Sequence, residues 1–146
     1  MPETTQLMID VISDVVCPWC LIGKRQLEQA LEQFAQTYPD LPRPMVRWHP
    51  FQLNPDIPPE GMPYKTYLQS QFGSTEVAAI FDNVYQAATA VELPLNLETI
   101  TVQPNTIRAH AVVSMTPEAR QDAVVEALFI AHFQRGLDLS EEATLI

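Results

Sequence analysis

Leu7-Met8-Ile9-Asp10-Val11-Ile12-Ser13-Asp14-Val15-Val16-Cys17-Pro18-Trp19-Cys20 is the stretch on which the fold turns. Leu7 to Ile12 reads as a short, mostly buried strand, because a brief apolar run ahead of turn residues is too short for a helix. Ser13 and Asp14 begin a turn, and Cys17-Pro18 opens a helix with proline where the first helical turn tolerates it. Leu27, Ala30, Leu31, Phe34, Ala35 and Tyr38 then recur at helical spacing as one apolar stripe, which Tyr38-Pro39-Asp40-Leu41-Pro42 ends. A second strand follows at Met45 to Phe51, with Val46 and Trp48 on one face and Met45, Arg47 and His49 on the other. Strand, helix and strand in this order make a βαβ unit, whose crossover is expected to be right-handed.

Beyond it, Gln52 to Pro63 holds four prolines and a glycine and reads as a loop. Every later pattern is helical. Tyr64 to Phe72 is a short helix, and Val77, Phe81, Val84, Tyr85 and Ala88 line one face of a longer one begun by Ser74 or Thr75. Pro104 to Met115 is a third. Thr116-Pro117-Glu118 starts a fourth, which Gly136 closes after Phe133. Ser140-Glu141-Glu142 has the form of an N-cap with acidic residues in the first turn, which suits the helix dipole. Residues 1–63 therefore form a βαβ half and residues 64–146 a helical region.

Length and charge bound the function. A chain of 146 residues fits one domain with a real core. A net charge of −10 speaks against nucleic acid and anionic membranes, whose phosphates need clustered Lys and Arg. Met1 to Leu7 shows neither a basic patch nor a following apolar core of an export signal, so the expected compartment is the cytoplasm. The chain's two cysteines lie three residues apart, a loop too short to restrain the unfolded chain much. In a reducing compartment such a pair points to redox chemistry or metal binding rather than a structural bridge.

Cys17 sits where a helix begins, so free backbone N–H groups and the positive dipole end favour its thiolate. Such placement lowers a cysteine pKa from about 8.5 toward roughly 3.5–7.5. Cys20 falls one turn on, close enough to bond with it. Pro18 presets the backbone, and Trp19 offers a flat apolar surface beside the nucleophile. Half of a zinc site is the competing reading, but structural zinc takes four ligands, and His49, His110 and His132 fall on separate elements. His49 is a candidate for assisting proton transfer, although an ordinary half-buried strand histidine is the commoner case. Asn54, Asn105 and Thr106 are candidates for shaping a substrate groove, with a helix start the stronger reading of Asn105 and Thr106. The aromatics from Tyr64 to Tyr85 suit the core of the helical region.

Ile9 to Cys20, continuing as Ile22-Gly23-Lys24-Arg25, resembles the opening of the DsbA-family thiol–disulfide oxidoreductases of the FrnE type. Arg47-Trp48-His49-Pro50-Phe51-Gln52-Leu53-Asn54-Pro55 resembles the second-strand motif of that family. Pro104-Asn105-Thr106 with Ala109-His110, and Gln121 to Phe129, resemble its helical segment. The resemblance implies an α/β thioredoxin-like fold with an inserted helical domain. It implies that Cys17 attacks, that Cys20 resolves, and that no metal or organic cofactor is needed, with glutathione an available co-substrate. Expected partners are protein or small-molecule thiols and disulfides. Members of the family continue past Ile146 with more helix, a cis-proline loop, two antiparallel strands and a last helix. The expectation is therefore a C-terminally truncated fold, which a second copy of the chain could cover as a homo-oligomer. Two rivals stand. A glutathione-dependent isomerase or kappa-type transferase shares these motifs, but that class typically carries serine at the position of Cys17. A non-enzymatic protein-binding or chaperone module would use the apolar surface around Trp19.

Overall fold

The structure, a computed structural model, describes residues 5–146. The reading of the N-terminus as lacking an export signal lies in part on residues 1–4, outside the described residues. Strand β1 (Met8–Ser13) leads through a turn into helix α1 (Pro18–Thr37), and strand β2 (Met45–Pro50) returns parallel to β1. Cys17, extended at φ −94°, is the residue from which α1 springs, and Pro18 is its first residue. The helix stops where the Tyr38 N–H bonds the Phe34 carbonyl at 2.8 Å, directly before Pro39.

The parallel register pairs Met8 with Met45, Asp10 with Arg47 and Ile12 with His49. These six share one face of the sheet. Val11, Val46 and Trp48 face the other way, into the helices. The expectation of a mostly buried β1 is corrected here: Met8 is 38% and Ile12 69% exposed, because helices cover only one face. Across the open face Asp10 takes a two-pronged bond from Arg47 (2.8 and 2.9 Å) and one from His49 (2.7 Å).

Seven α-helices are found among the described residues, with α2 (Tyr64–Phe72), α3 (Val77–Ile80), α4 (Asp82–Ala90), α5 (Ile107–Met115), α6 (Glu118–Phe133) and α7 (Glu142–Leu145) after α1. Three expectations need correction. The helix expected across Val77 to Ala88 is broken at Phe81 (φ −107°, ψ 21°). Apolar spacing reports a shared face and is blind to a one-residue interruption that keeps that face. The region after Pro63 is not wholly helical, since β3 (Met62–Pro63) pairs antiparallel with β4 (Val102–Gln103). Strands of two residues carry no alternation to read. The third helix begins at Ile107, with Asn105 Oδ1 accepting the Ile107 N–H at 3.0 Å. At the end of the chain, α7 starts after Glu141, while Ser140 is buried and donates its N–H to Asp138 at 2.8 Å.

One core runs from the βαβ half into the helices, through Leu21, Trp48, Leu68, Leu97, Phe129 and Leu139. Gly136 closes α6 at φ +62°, and a Cβ there would lie 2.5 Å from the Thr99 carbonyl oxygen. Only glycine meets both demands. Helices α1 and α6 are also tied by charge. The buried Lys24 ammonium contacts Glu28, Glu126 (2.9 Å) and Asp122 (3.4 Å), and Arg25 grips Glu126 with two nitrogens. Asp122 in turn accepts the Trp48 indole N–H at 3.1 Å, linking the network to β2. Among the described residues no helix is long and apolar enough to cross a membrane.

Candidate active site around Cys17 and Cys20

The turn from β1 to α1 is held by its own backbone. The Cys17 N–H bonds the Asp14 carbonyl at 3.1 Å, and the Cys20 N–H bonds the Cys17 carbonyl at 3.1 Å. The second bond closes the first helical turn and brings the Cys20 side chain beside that of Cys17. Both cysteines are half-buried, and their sulfurs are not bonded to each other.

The two thiols ionise as a unit. A hydrogen bond from the Cys17 thiol holds Cys20 down to about 6, against the opposing effect of burial, with help from the Asp14 backbone and the Ser13 hydroxyl. Cys17 is pushed up in turn, first by that bond to Cys20 and then by burial, since removing a second proton would set two thiolates side by side. The sequence expects the lowered value at Cys17; in this geometry it falls on Cys20. The Trp19 and Cys20 backbone N–H groups favour charge on the Cys17 sulfur as well. One proton shared between the sulfurs thus leaves a thiolate on the pair at neutral pH.

Cys17, Pro18 and Trp19 border a cavity of about 310 Å³ between the start of α1 and the helical region. Its walls include Tyr64, Tyr67, Phe72, Phe81 and Phe133. Tyr64 belongs to the core and Tyr67 and Phe81 pack against it, as the sequence expects, while Phe72 is half exposed; all four also border this space beside the nucleophile. Trp19 is half exposed, as a surface beside the site requires. Cys20 is not among the cavity's walls and packs against the core.

The other sequence candidates are dispersed. Asn54 lies near the cavity, its side-chain N–H donating to the Tyr67 hydroxyl at 3.4 Å. Asn105 is buried and joins loops, donating to the Ile57 carbonyl at 2.7 Å and accepting from Gln52 at 3.1 Å. Thr106 is buried at the start of α5. His49 sits on the open sheet face with Asp10, away from the cavity walls.

Three residues matter more than their sequence setting shows. Asp14, almost fully buried, accepts the Leu53 N–H at 2.9 Å and a bond from His110 at 3.1 Å. His110 Nε2 also meets the Phe51 carbonyl at 3.0 Å, and because both neighbours are acceptors Nε2 carries the hydrogen. Asp14 and His110 thus pin the chain leaving β2 against the cysteine turn. The third is His132, wholly buried in the cavity wall, with burial lowering its pKa to about 4 against the pull of Asp14. It is neutral at physiological pH. The three-residue offset of Asp14 from Cys17 is a readable clue, and His110 falls in the Ala109-His110 pair that carries the resemblance; His132, on a helix remote in sequence, offers none.

The profile of the DSBA-like thioredoxin domain matches residues 8–146. Among solved structures, a probable DsbA oxidoreductase of Streptomyces coelicolor is similar, at 26% identity and a TM-score of 0.77 over 96% of this chain and 60% of that one. A 2-hydroxychromene-2-carboxylate isomerase is 16% identical, at a TM-score of 0.58 over 94% of this chain and 61% of its own. A candidate protein disulfide isomerase of Nitrosomonas europaea is 16% identical, at a TM-score of 0.58 over 97% and 62%. The last two share the fold. The chain spans 60 to 62% of the length of these three structures. No curated protein matches it in sequence.

Proposed function

Because this chain belongs to the DSBA-like thioredoxin domain family, we propose that it is a thiol–disulfide oxidoreductase of the FrnE type working through Cys17 and Cys20. The contact between these two thiols at the N-terminus of α1 carries the reading. Cys17 is the attacking residue, because it borders the open cavity while Cys20 packs inward. Its thiolate bonds one sulfur of a substrate disulfide, and the other sulfur leaves as a thiolate that takes up a proton. Cys20 then attacks the Cys17 sulfur, forms the Cys17–Cys20 disulfide and releases the second substrate thiol. Two electrons pass to the substrate, and the reverse sequence oxidises a dithiol. No metal or organic cofactor enters these steps. The proposed compartment is the cytoplasm, where such a pair rests as the dithiol.

Alkylation of the reduced protein tests this. A shared thiolate titrating at about 6 should make iodoacetamide labelling rise through mildly acidic pH and fall on Cys17 by peptide mapping. Equal labelling of both cysteines, or a midpoint near 8.5, the unperturbed value, would refute it.

The open sheet face supports the expected homo-oligomer, in which a second copy covers Met8, Ile12 and Met45. Parallel sheets are ordinarily covered on both faces. Sedimentation velocity should then show concentration-dependent association that Ile12→Lys abolishes; a monomer at every concentration would remove this part of the proposal.

A further inference from the structure

Among the described residues, no Asp, Glu, Lys or Arg lines the cavity beside Cys17. That decides what the space can hold. Its one titratable base, His132, is fully buried and stays neutral. The hydroxyls of Tyr64 and Tyr67 stay protonated too, since burial pushes both phenols up. Six aromatic side chains stand around it: Trp19, Tyr64, Tyr67, Phe72, Phe81 and Phe133. The Tyr64 and Tyr67 rings lie 6.2 Å apart and nearly parallel, and Phe72 meets Phe81 edge-on at 5.8 Å. Rings so arranged present both faces and edges, the two surfaces on which a further ring packs. The volume of about 310 Å³ falls at the lower end of small-ligand sites.

We propose that this cavity binds an uncharged aromatic group carried next to the reacting sulfur, so that the substrates Cys17 takes most readily are neutral aromatic thiols and disulfides. The proposal rests on the oxidoreductase reading and narrows it. A multiply charged thiol such as glutathione finds no counter-ion in this wall, and burying its carboxylates unpaired there would be costly. In the reaction, the Cys17 sulfur bonds one sulfur of a diaryl disulfide and an aryl thiolate leaves. Cys20 then displaces the second aryl thiol, and the protein dithiol, now a disulfide, has supplied both electrons.

Single-turnover rates of the reduced protein with 4,4′-dithiodipyridine, bis(2-hydroxyethyl) disulfide and glutathione disulfide test the preference. Each rate is divided by that of free N-acetylcysteine with the same disulfide, which removes intrinsic reactivity. The normalised rate for the diaryl compound should exceed both others by about tenfold or more, a margin that ring packing and burial can supply. Val84→Phe, which fills the cavity, should collapse that ratio toward unity. Equal normalised rates, or preference for glutathione disulfide, would overturn the proposal. A second measurement needs no turnover: 2-naphthol should quench Trp19 fluorescence saturably in Cys17→Ser/Cys20→Ser protein, and Trp19→Phe in that background should remove the signal. Saturable binding without disulfide exchange would strike the oxidoreductase reading and leave the cavity assignment standing. Exchange without preference and without naphthol binding would do the reverse.

Discussion

Cys17→Ser should abolish disulfide reduction, lowering the second-order rate by on the order of 10⁴-fold or more, as loss of a nucleophile does elsewhere. The serine hydroxyl is not ionised at neutral pH, so neither the helix N-terminus nor Cys20 can turn it into an attacking anion. Cys20→Ser should behave differently. The first attack still occurs, but nothing resolves its product, and the protein should accumulate as a mixed disulfide through Cys17. That adduct is visible as a mass increase of one substrate thiol that dithiothreitol removes. The pH dependence should shift as well, because the thiol bond that lowers the titration of the pair to about 6 is gone. In Cys20→Ser, alkylation of Cys17 should therefore titrate as that of a single thiol, without the midpoint at about 6 that the pair shows in the parent. Retention of a tenth or more of the rate in Cys17→Ser, or a trapped adduct on Cys20, would reverse the roles assigned here.

The second large effect is on stability. Lys24→Met should destabilise the protein by about 3 kcal/mol, the lower end of the ~3–5 kcal/mol seen when a buried ion pair loses one partner. The lower end applies because the carboxylates of Glu28, Asp122 and Glu126 remain partly exposed and are rehydrated in part. The sign of the pH dependence follows from two shifts. Burial would raise Glu126, but hydrogen bonds from Arg25 and Lys24 outweigh it and leave the group below its ordinary 4.5. A lowered carboxylate adds stability above its unfolded pKa, and this is lost as pH falls through the folded value. For Lys24, burial would depress the ammonium, yet Glu28 and Glu126 hold it above its ordinary 10.5. Its contribution is complete below the unfolded pKa and is lost as pH rises through the folded one. Urea unfolding should thus show the parent's advantage over Lys24→Met across the neutral range and shrinking on strong acidification. An advantage that grows below pH 4 would contradict the network as the cause.

From the sequence alone, the strand–turn–helix start, the placement of Cys17 and Cys20, and most helix bounds could be read. These are local properties: an apolar run, a proline in a first turn, and a glycine after a last one each act on neighbouring residues. Helix α2 and the end of α6 fall where the sequence puts them, and Val46 and Trp48 turn inward as their alternation requires. The tertiary structure decided what depends on residues far apart in the chain. Asp14 and His110 are 96 positions apart and meet only because α5 packs behind the cysteine turn. Arg25 and Glu126, 101 apart, join α1 to α6. The sequence reads Tyr64, Tyr67 and Phe81 as core of the helical region, and a cavity wall and a core have the same apolar pattern. Periodicity reports which side of an element avoids water; whether that side meets side chains or an empty space beside a thiolate depends on how the elements pack.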